Sequence, residues 1–196
     1  MSGYRPVGTE LLYASHQAGT VSVPTTTPGS SMTLGLPPVP VPAQDMSNTG
    51  SWSSSLRLVM RGILIATATV PTFQFSLYRT TAQPAAFATT TLVGQTAVLA
   101  APTATTGSWC RLEFEIGLRT LALGAASTVT CLGRVDCSAL ASPFYADIPP
   151  GAATYTVSDT SWPADQQVYL WPTLSLGAAT AGNTFTCHQM KLYGES

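Results

Sequence analysis

The residues with the strongest claim to chemistry are Glu113 and Glu115, two apart in the run GSWCRLEFEIGLRT at residues 107–120. On a β-strand, positions i and i+2 share a face about 7 Å apart, which overlaps the carboxylate spacing of an inverting glycosidase. Arg111 and Arg119 flank the pair. They favour the charged form of both carboxylates, whereas a general acid must hold its proton. A solvated strand face therefore outweighs catalysis. Two histidines, His16 and His188, stand at opposite ends of the chain, and the cysteines are Cys110, Cys131, Cys137 and Cys187. Cys187 and His188 are adjacent, so on a strand they point to opposite faces. Cys131 and Cys137 share a face but lie about 20 Å apart along a straight strand. Neither arrangement closes a zinc site. Gly-x-Ser-x-Gly, His-x-x-x-His, Cys-x-x-Cys and a glycine-rich phosphate loop are all missing. The expectation is a non-enzyme with no catalytic residue, no metal and no cofactor.

The element that carries the two glutamates reads with period two. Cys110, Leu112, Phe114, Ile116 and Leu118 fall on one face, and Arg111, Glu113, Glu115 and Arg119 on the other. At about 100° per residue a helix would smear that apolar set around its whole surface, so the run is a strand with one dry side and one wet side. Other runs behave alike. In residues 56–66, Leu56, Leu58, Met60 and Leu64 alternate with Arg57, Val59, Arg61 and Ile63, and Gly62 marks a bulge or a close backbone approach. In residues 72–79, Phe73, Phe75 and Leu77 face inward; the short proline-bearing link predicts that these two runs form a hairpin. Residues 128–137 put Val129, Cys131, Val135 and Cys137 on one face and Arg134 and Asp136 on the other, so Arg134 could pair across to Glu113 or Glu115. Residues 168–176 are apolar on both faces, with Tyr169 and Trp171 opposite Val168, Leu170 and Leu174, as in a central or covered strand. Short strands are expected at 20–23, 31–36, 89–100, 154–157 and 184–193, a long aromatic-bearing loop at 140–151, and a turn at 160–167. About ten short strands with turn signals every 8 to 15 residues predict an all-β antiparallel sandwich of jelly-roll type.

Composition agrees. The chain has 196 residues, 16 glycines, 15 prolines and only 9% charged side chains, with a net charge of -1. That balance leaves no basic footprint for nucleic acid or an acidic membrane, and no apolar run reaches the ~18 residues that span a bilayer. The mean hydropathy of +0.22, with so few charges, predicts self-association. The first 13 residues lack the basic-then-apolar order of a secretory signal, so folding in a cytoplasm is expected, with the four cysteines as reduced, buried, small apolar groups and a single disulfide as the alternative. Residues 1–45 read as an extended arm with short edge strands, and residues 46–196 as the sandwich. Within the arm, Pro37, Pro38, Pro40 and Pro42 cannot supply a regular ladder of N–H donors. They mark either a stiff connection over the end of the sandwich or a contact with a neighbouring molecule. Tyr145, Trp162, Tyr169 and Trp171 are further candidate interface residues, suited to stacking sugars or anchoring a protein contact; core filling is the competing role.

Four phrases, GTELLYASHQAGT, SSSLRLVMRGILIAT with PTFQFSLYR, GSWCRLEFEIGLRT, and the closing YTVSDTSWPADQQVYLWPTLSLGAATAGNTFTCHQMKLY, together resemble small virion structural proteins of tailed bacteriophages. The resemblance covers most of residues 8–193 and leaves residues 37–42 outside its pattern. It implies a virion jelly roll, in the first instance a capsid decoration (cement) protein. Such a protein would be a homotrimer bound to the major capsid protein on the outer capsid surface, made in the host cytoplasm. The alternative it implies is a tail or baseplate module that binds a receptor or glycan.

Overall fold

In the computed structural model the described residues are 9–15, 19–22, 32–33, 38–42, 55–66, 72–81, 91–100, 104–120, 127–138, 144–148, 159–176 and 183–195. They form strands β1 (Thr9–Ser15), β2 (Gly19–Ser22), β3 (Met32–Thr33), β4 (Val39–Val41), β5 (Ser55–Ala66), β6 (Thr72–Thr80), β7 (Thr91–Gln95), β8 (Leu99–Ala100), β9 (Ala104–Thr120), β10 (Ser127–Ser138), β11 (Phe144–Ile148), β12 (Asp159–Trp162), β13 (Val168–Leu176) and β14 (Thr184–Glu195). The larger sheet runs β1-β14-β5-β9-β10-β11, with β2 also on β14 and β12 also on β10. The smaller runs β3-β13-β6-β7, with β4 also on β13 and β8 also on β6. Every ladder is antiparallel. The chain is thus the expected all-β antiparallel sandwich, jelly-roll-like, with strands from residues 9–41 lying beside the outer strands of both sheets.

Period two sets the core. Leu56, Leu58, Met60 and Leu64 of β5, Leu112, Phe114 and Ile116 of β9, Val129 and Val135 of β10, and Phe185, Met190 and Leu192 of β14 bury their side chains. They meet Phe73, Phe75 and Leu77 of β6, Val93 of β7 and Leu170 and Leu174 of β13. Phe75 packs edge-on against Phe73 and against Phe185 of the other sheet, at 5.7 and 5.6 Å between ring centroids. The two-sided apolar run also lands as read: β13 lies inside the smaller sheet, buried at Trp171, Thr173 and Ser175 as well as at its core-facing positions. Pro172, which has no N–H, falls where β13 faces neither β4, which ends opposite Leu170, nor β3, which begins opposite Thr173.

Several local expectations are corrected. β5 and β6 form no hairpin: β5 pairs with β9 and β14, whereas β6 pairs with β13 in the other sheet. The two strands lie in different sheets, because each has a core face and each finds its covering layer in the opposite sheet. The aromatic-bearing stretch 140–151 contains β11, paired with β10, and the stretch 160–167 opens with the end of strand β12 before the expected turn, which the Gln166 N–H closes on the Pro163 carbonyl. Both attach to β10, which is long enough to hold two short strands along one edge. The cysteines are not all thiols. Cys110 and Cys137 sit directly opposite in the β9–β10 register, Cα atoms 4.1 Å apart, and form a disulfide. Cys131 and Cys187 are buried thiols outside the disulfide, as expected. The strand expected at 154–157 lies outside the described residues.

One buried ion pair ties the two sheets together. Arg79, on β6 of the smaller sheet, meets Asp159, on β12 of the larger; their side chains are 6% and 1% exposed. The Arg79 Nε donates to Asp159 Oδ2, and Nη2 donates to Asp159 Oδ1 at 3.0 Å and to the Ser161 carbonyl and hydroxyl, each at 2.8 Å. The Ser161 backbone N–H donates to Asp159 Oδ1 at 2.9 Å. The guanidinium also stands 5.8 Å from the Trp162 ring centre. Burial alone would raise the Asp159 carboxyl. The hydrogen bonds from Arg79 and Ser161, with the Arg79 charge, outweigh it and hold the group below the ordinary carboxylate value.

Candidate functional site

The two sheets differ on their outer sides. On the smaller sheet the outward positions Ser76, Thr80, Trp171, Thr173 and Ser175 are buried. On the larger sheet the outward positions of β5, β9, β10 and β14 are half-buried or exposed. Gln74, Tyr78 and Tyr169 of the smaller sheet are half-buried, so among the described residues the larger sheet has the more open outer face.

Strand register lays that face out in rows. Thr186, Ile63, Trp109 and Ser138 form one, Gln189, Arg61, Arg111 and Asp136 the next, then Lys191, Val59, Glu113 and Arg134, then Tyr193, Arg57, Glu115 and Leu132. Most charges are already paired. Glu113 Oε2 lies 2.6 Å from Arg111 Nη2, and its Oε1 is 3.6 Å from Arg57 Nη1. Arg57 Nε is 2.7 Å from Glu195 Oε1, and its guanidinium stands 5.3 Å from the Tyr193 ring centre. Arg134 sits opposite Glu113 in register, as its parity suggested, and its Nε pairs with Asp136 at 2.7 Å. The two glutamates thus share a face as read, but it is an open sheet surface with Glu113 between two guanidinium groups. That setting excludes no water and sets no carboxylate over a cleft, so it offers nothing to glycosidic chemistry. Among the described residues no cluster of three or more His, Cys, Asp or Glu side chains could hold a metal ion.

At one end of the face the charges give way to rings. Trp109 is 60% exposed, the most open large apolar side chain among the described residues. Its ring lies 5.6 Å from that of His188 with the planes tilted by 39°. The two residues belong to β9 and β14, with β5 between them, so the contact bridges a strand. It is possible because β14 bulges there: register slips between Cys187 and Gln189, which leaves His188 as the extra residue. Gly62 lies opposite the bulge, and a side chain on it would run into the Phe185 ring at 2.5 Å and the Thr186 carbonyl at 2.6 Å; the close approach expected at Gly62 is real. On β9, Gly107 takes φ 92° just before the alternation begins, which glycine alone adopts without strain. The disulfide between Cys110 of β9 and Cys137 of β10 lies on the inner side of the sheet, one residue beyond Trp109 on β9. The aromatic platform is therefore built on a cross-linked part of the sheet.

The candidate interface residues read from the sequence do not converge. Trp162 and Trp171 are 1% and 5% exposed and present no ring to solvent. Tyr169 is half-buried on β13, in register with Pro40 of β4 on one side and Thr80 of β6 on the other. Tyr145 lies on β11 opposite Asp136. Pro38 and Pro40 are half-buried and Pro42 is exposed, beside Val39 and Val41, which are buried in the core; Pro37 lies outside the described residues. Trp109 escaped sequence reasoning although it sits in the central strand. Its parity, out of phase with Cys110 and in phase with Arg111, was the available signal. His188 could be placed beside it only once the bulge and the intervening strand were known.

No protein-family model and no curated protein matches the chain. A solved structure, the CBM2 module of the evolved Dit of Lactobacillus casei BL23 phage J-1, aligns with 96% of this chain and 97% of its own, at 12% identity and a TM-score of 0.41. A superposition that loose carries nothing about function, and the chain's own surface must.

Proposed function

We propose that this chain is a non-catalytic binding module of a phage virion, and that its outer sheet face recognises saccharide on the host surface. The observation that carries the reading is the open Trp109 ring beside His188 on a stiff pleated face. Sugar rings present apolar C–H faces that pack on aromatic rings, while their hydroxyls need polar partners around the rim. Here Ser138 and Thr186 end the Trp109 row, and Gln189 and Arg61 begin the next. The rest of the face speaks against a large protein interface. Interface cores are depleted of charge, whereas this face carries a network of arginines paired with glutamates and an aspartate. The virion setting rests on the sequence resemblance. A saccharide platform belongs on the part of a virion that meets the cell, which favours a tail or baseplate position over a decoration role on the head.

The test is a glycan array probed with the full chain and with Trp109→Ala. Binding that Trp109→Ala abolishes while the melting temperature stays within about 2 °C supports the reading, since an exposed ring contributes little to stability. No binding to any glycan, with the protein instead coating isolated heads as a trimer, overturns it in favour of head decoration.

A further inference from the structure

Arg61 is the unbalanced charge beside the platform. It lies on β5 directly opposite Arg111 of β9, one row from Trp109, and its other neighbour in register is the neutral Gln189. Like charges directly opposite on a sheet destabilise it. Arg111 is relieved by Glu113. Arg61 is exposed and has no ion-pair partner among the described residues. Rows on a strand are about 7 Å apart, within reach of an arginine side chain and about the width of one sugar ring. A ligand stacked on Trp109 would therefore set a substituent over the Arg61–Arg111 pair, and an anion there would lift the repulsion between the two arginines. Guanidinium forks hold carboxylate and phosphate oxygens in bidentate fashion.

From this the geometry points to an anionic saccharide as the ligand: a sugar whose apolar face rests on Trp109 and whose acidic group, uronate or phosphodiester, sits on Arg61 with the Gln189 amide beside it. This deepens the saccharide reading above and rests on it. Charge supplies the discrimination, and the aromatic ring supplies affinity shared with neutral sugars.

The experiment uses the full chain in calorimetry at low salt with three probes: an oligogalacturonate, the same oligomer fully methyl-esterified, and a phosphodiester-linked glycan chain. Variants are Arg61→Gln and Trp109→Ala, both at exposed positions. The expected result is at least 10-fold tighter binding of one acidic probe than of the ester, weakening as salt rises. In Arg61→Gln the acidic probe should fall to the affinity that the same variant shows for the ester, losing at least 10-fold more than the ester does. Which acidic probe binds tells uronate from phosphate. Equal affinity for acid and ester, or no effect of Arg61→Gln, overturns the anionic ligand while leaving the saccharide reading intact if Trp109→Ala still abolishes binding. Acid binding that survives Trp109→Ala also overturns it, because the arginines would then be a bare anion site. No binding of any probe by the unmodified chain removes both.

Discussion

Replacing Asp159 with Asn should break the fastening between the two sheets. The substitution keeps size and shape but removes the charge that faces Arg79, whose side chain is only 6% exposed. Leaving one partner of a buried ion pair uncompensated typically costs about 3–5 kcal/mol. The guanidinium has a residual contact with the Trp162 ring and hydrogen bonds to Ser161, which places the expected loss near the lower figure, about 3 kcal/mol. For a chain of this size about 1 kcal/mol corresponds to about 2–4 °C in melting temperature, so the drop should be about 6–12 °C, read by calorimetry with urea unfolding as a second measure. The pH dependence fixes the sign. Asp159 has a folded pKa below its unfolded value, so its contribution is fully present above the unfolded value near 4 and is lost as pH falls through the folded one. The difference between the parent and Asp159→Asn should therefore be constant at neutral pH and shrink in acid. A double replacement, Arg79→Met with Asp159→Leu, should recover most of the stability, because it leaves no buried charge unpaired. A loss below about 1 kcal/mol for Asp159→Asn at pH 7, or a difference that grows in acid, would refute the reasoning.

Other perturbations have equally definite outcomes. Reduction of Cys110–Cys137, whose partners are 27 residues apart, should lower the urea-derived stability by up to about 3.5 kcal/mol, the loop-closure figure for such a span; no change of midpoint with a reductant would contradict it. Cys131 and Cys187 should resist alkylation in the folded chain at pH 8 and react fully in urea, scored by mass spectrometry. Burial pushes their thiols up to about 12 and about 11, against the ordinary value near 9. Gly133→Ala should destabilise by about 2 kcal/mol or more in urea unfolding, since its side chain would collide with the Glu113 carbonyl across the β9–β10 ladder.

The pattern in the chain was enough to establish the material of the fold. Strict alternation in residues 56–66, 72–79, 107–120 and 128–137 assigned each side chain to a face, because a pleated strand has only two, and Leu58, Phe75, Phe114 and Val135 lie in the core as that parity requires. Alternation also showed that Glu113 and Glu115 share a wet face with Arg111, which argued against catalysis before any distance was known. What parity could not do was choose partners. A strand with one apolar face is satisfied by any covering layer, so nothing local distinguished a β5–β6 hairpin from a crossing between sheets. Nor could it set Cys110 against Cys137 rather than elsewhere, since that pairing depends on the register between β9 and β10. The candidate site belongs to the same class. Trp109, His188 and Arg61 come from three strands far apart in sequence, and they become neighbours only through two registers and one bulge. Faces are a property of each strand alone, whereas neighbours are a property of the assembled sheet, and a binding surface is made of neighbours.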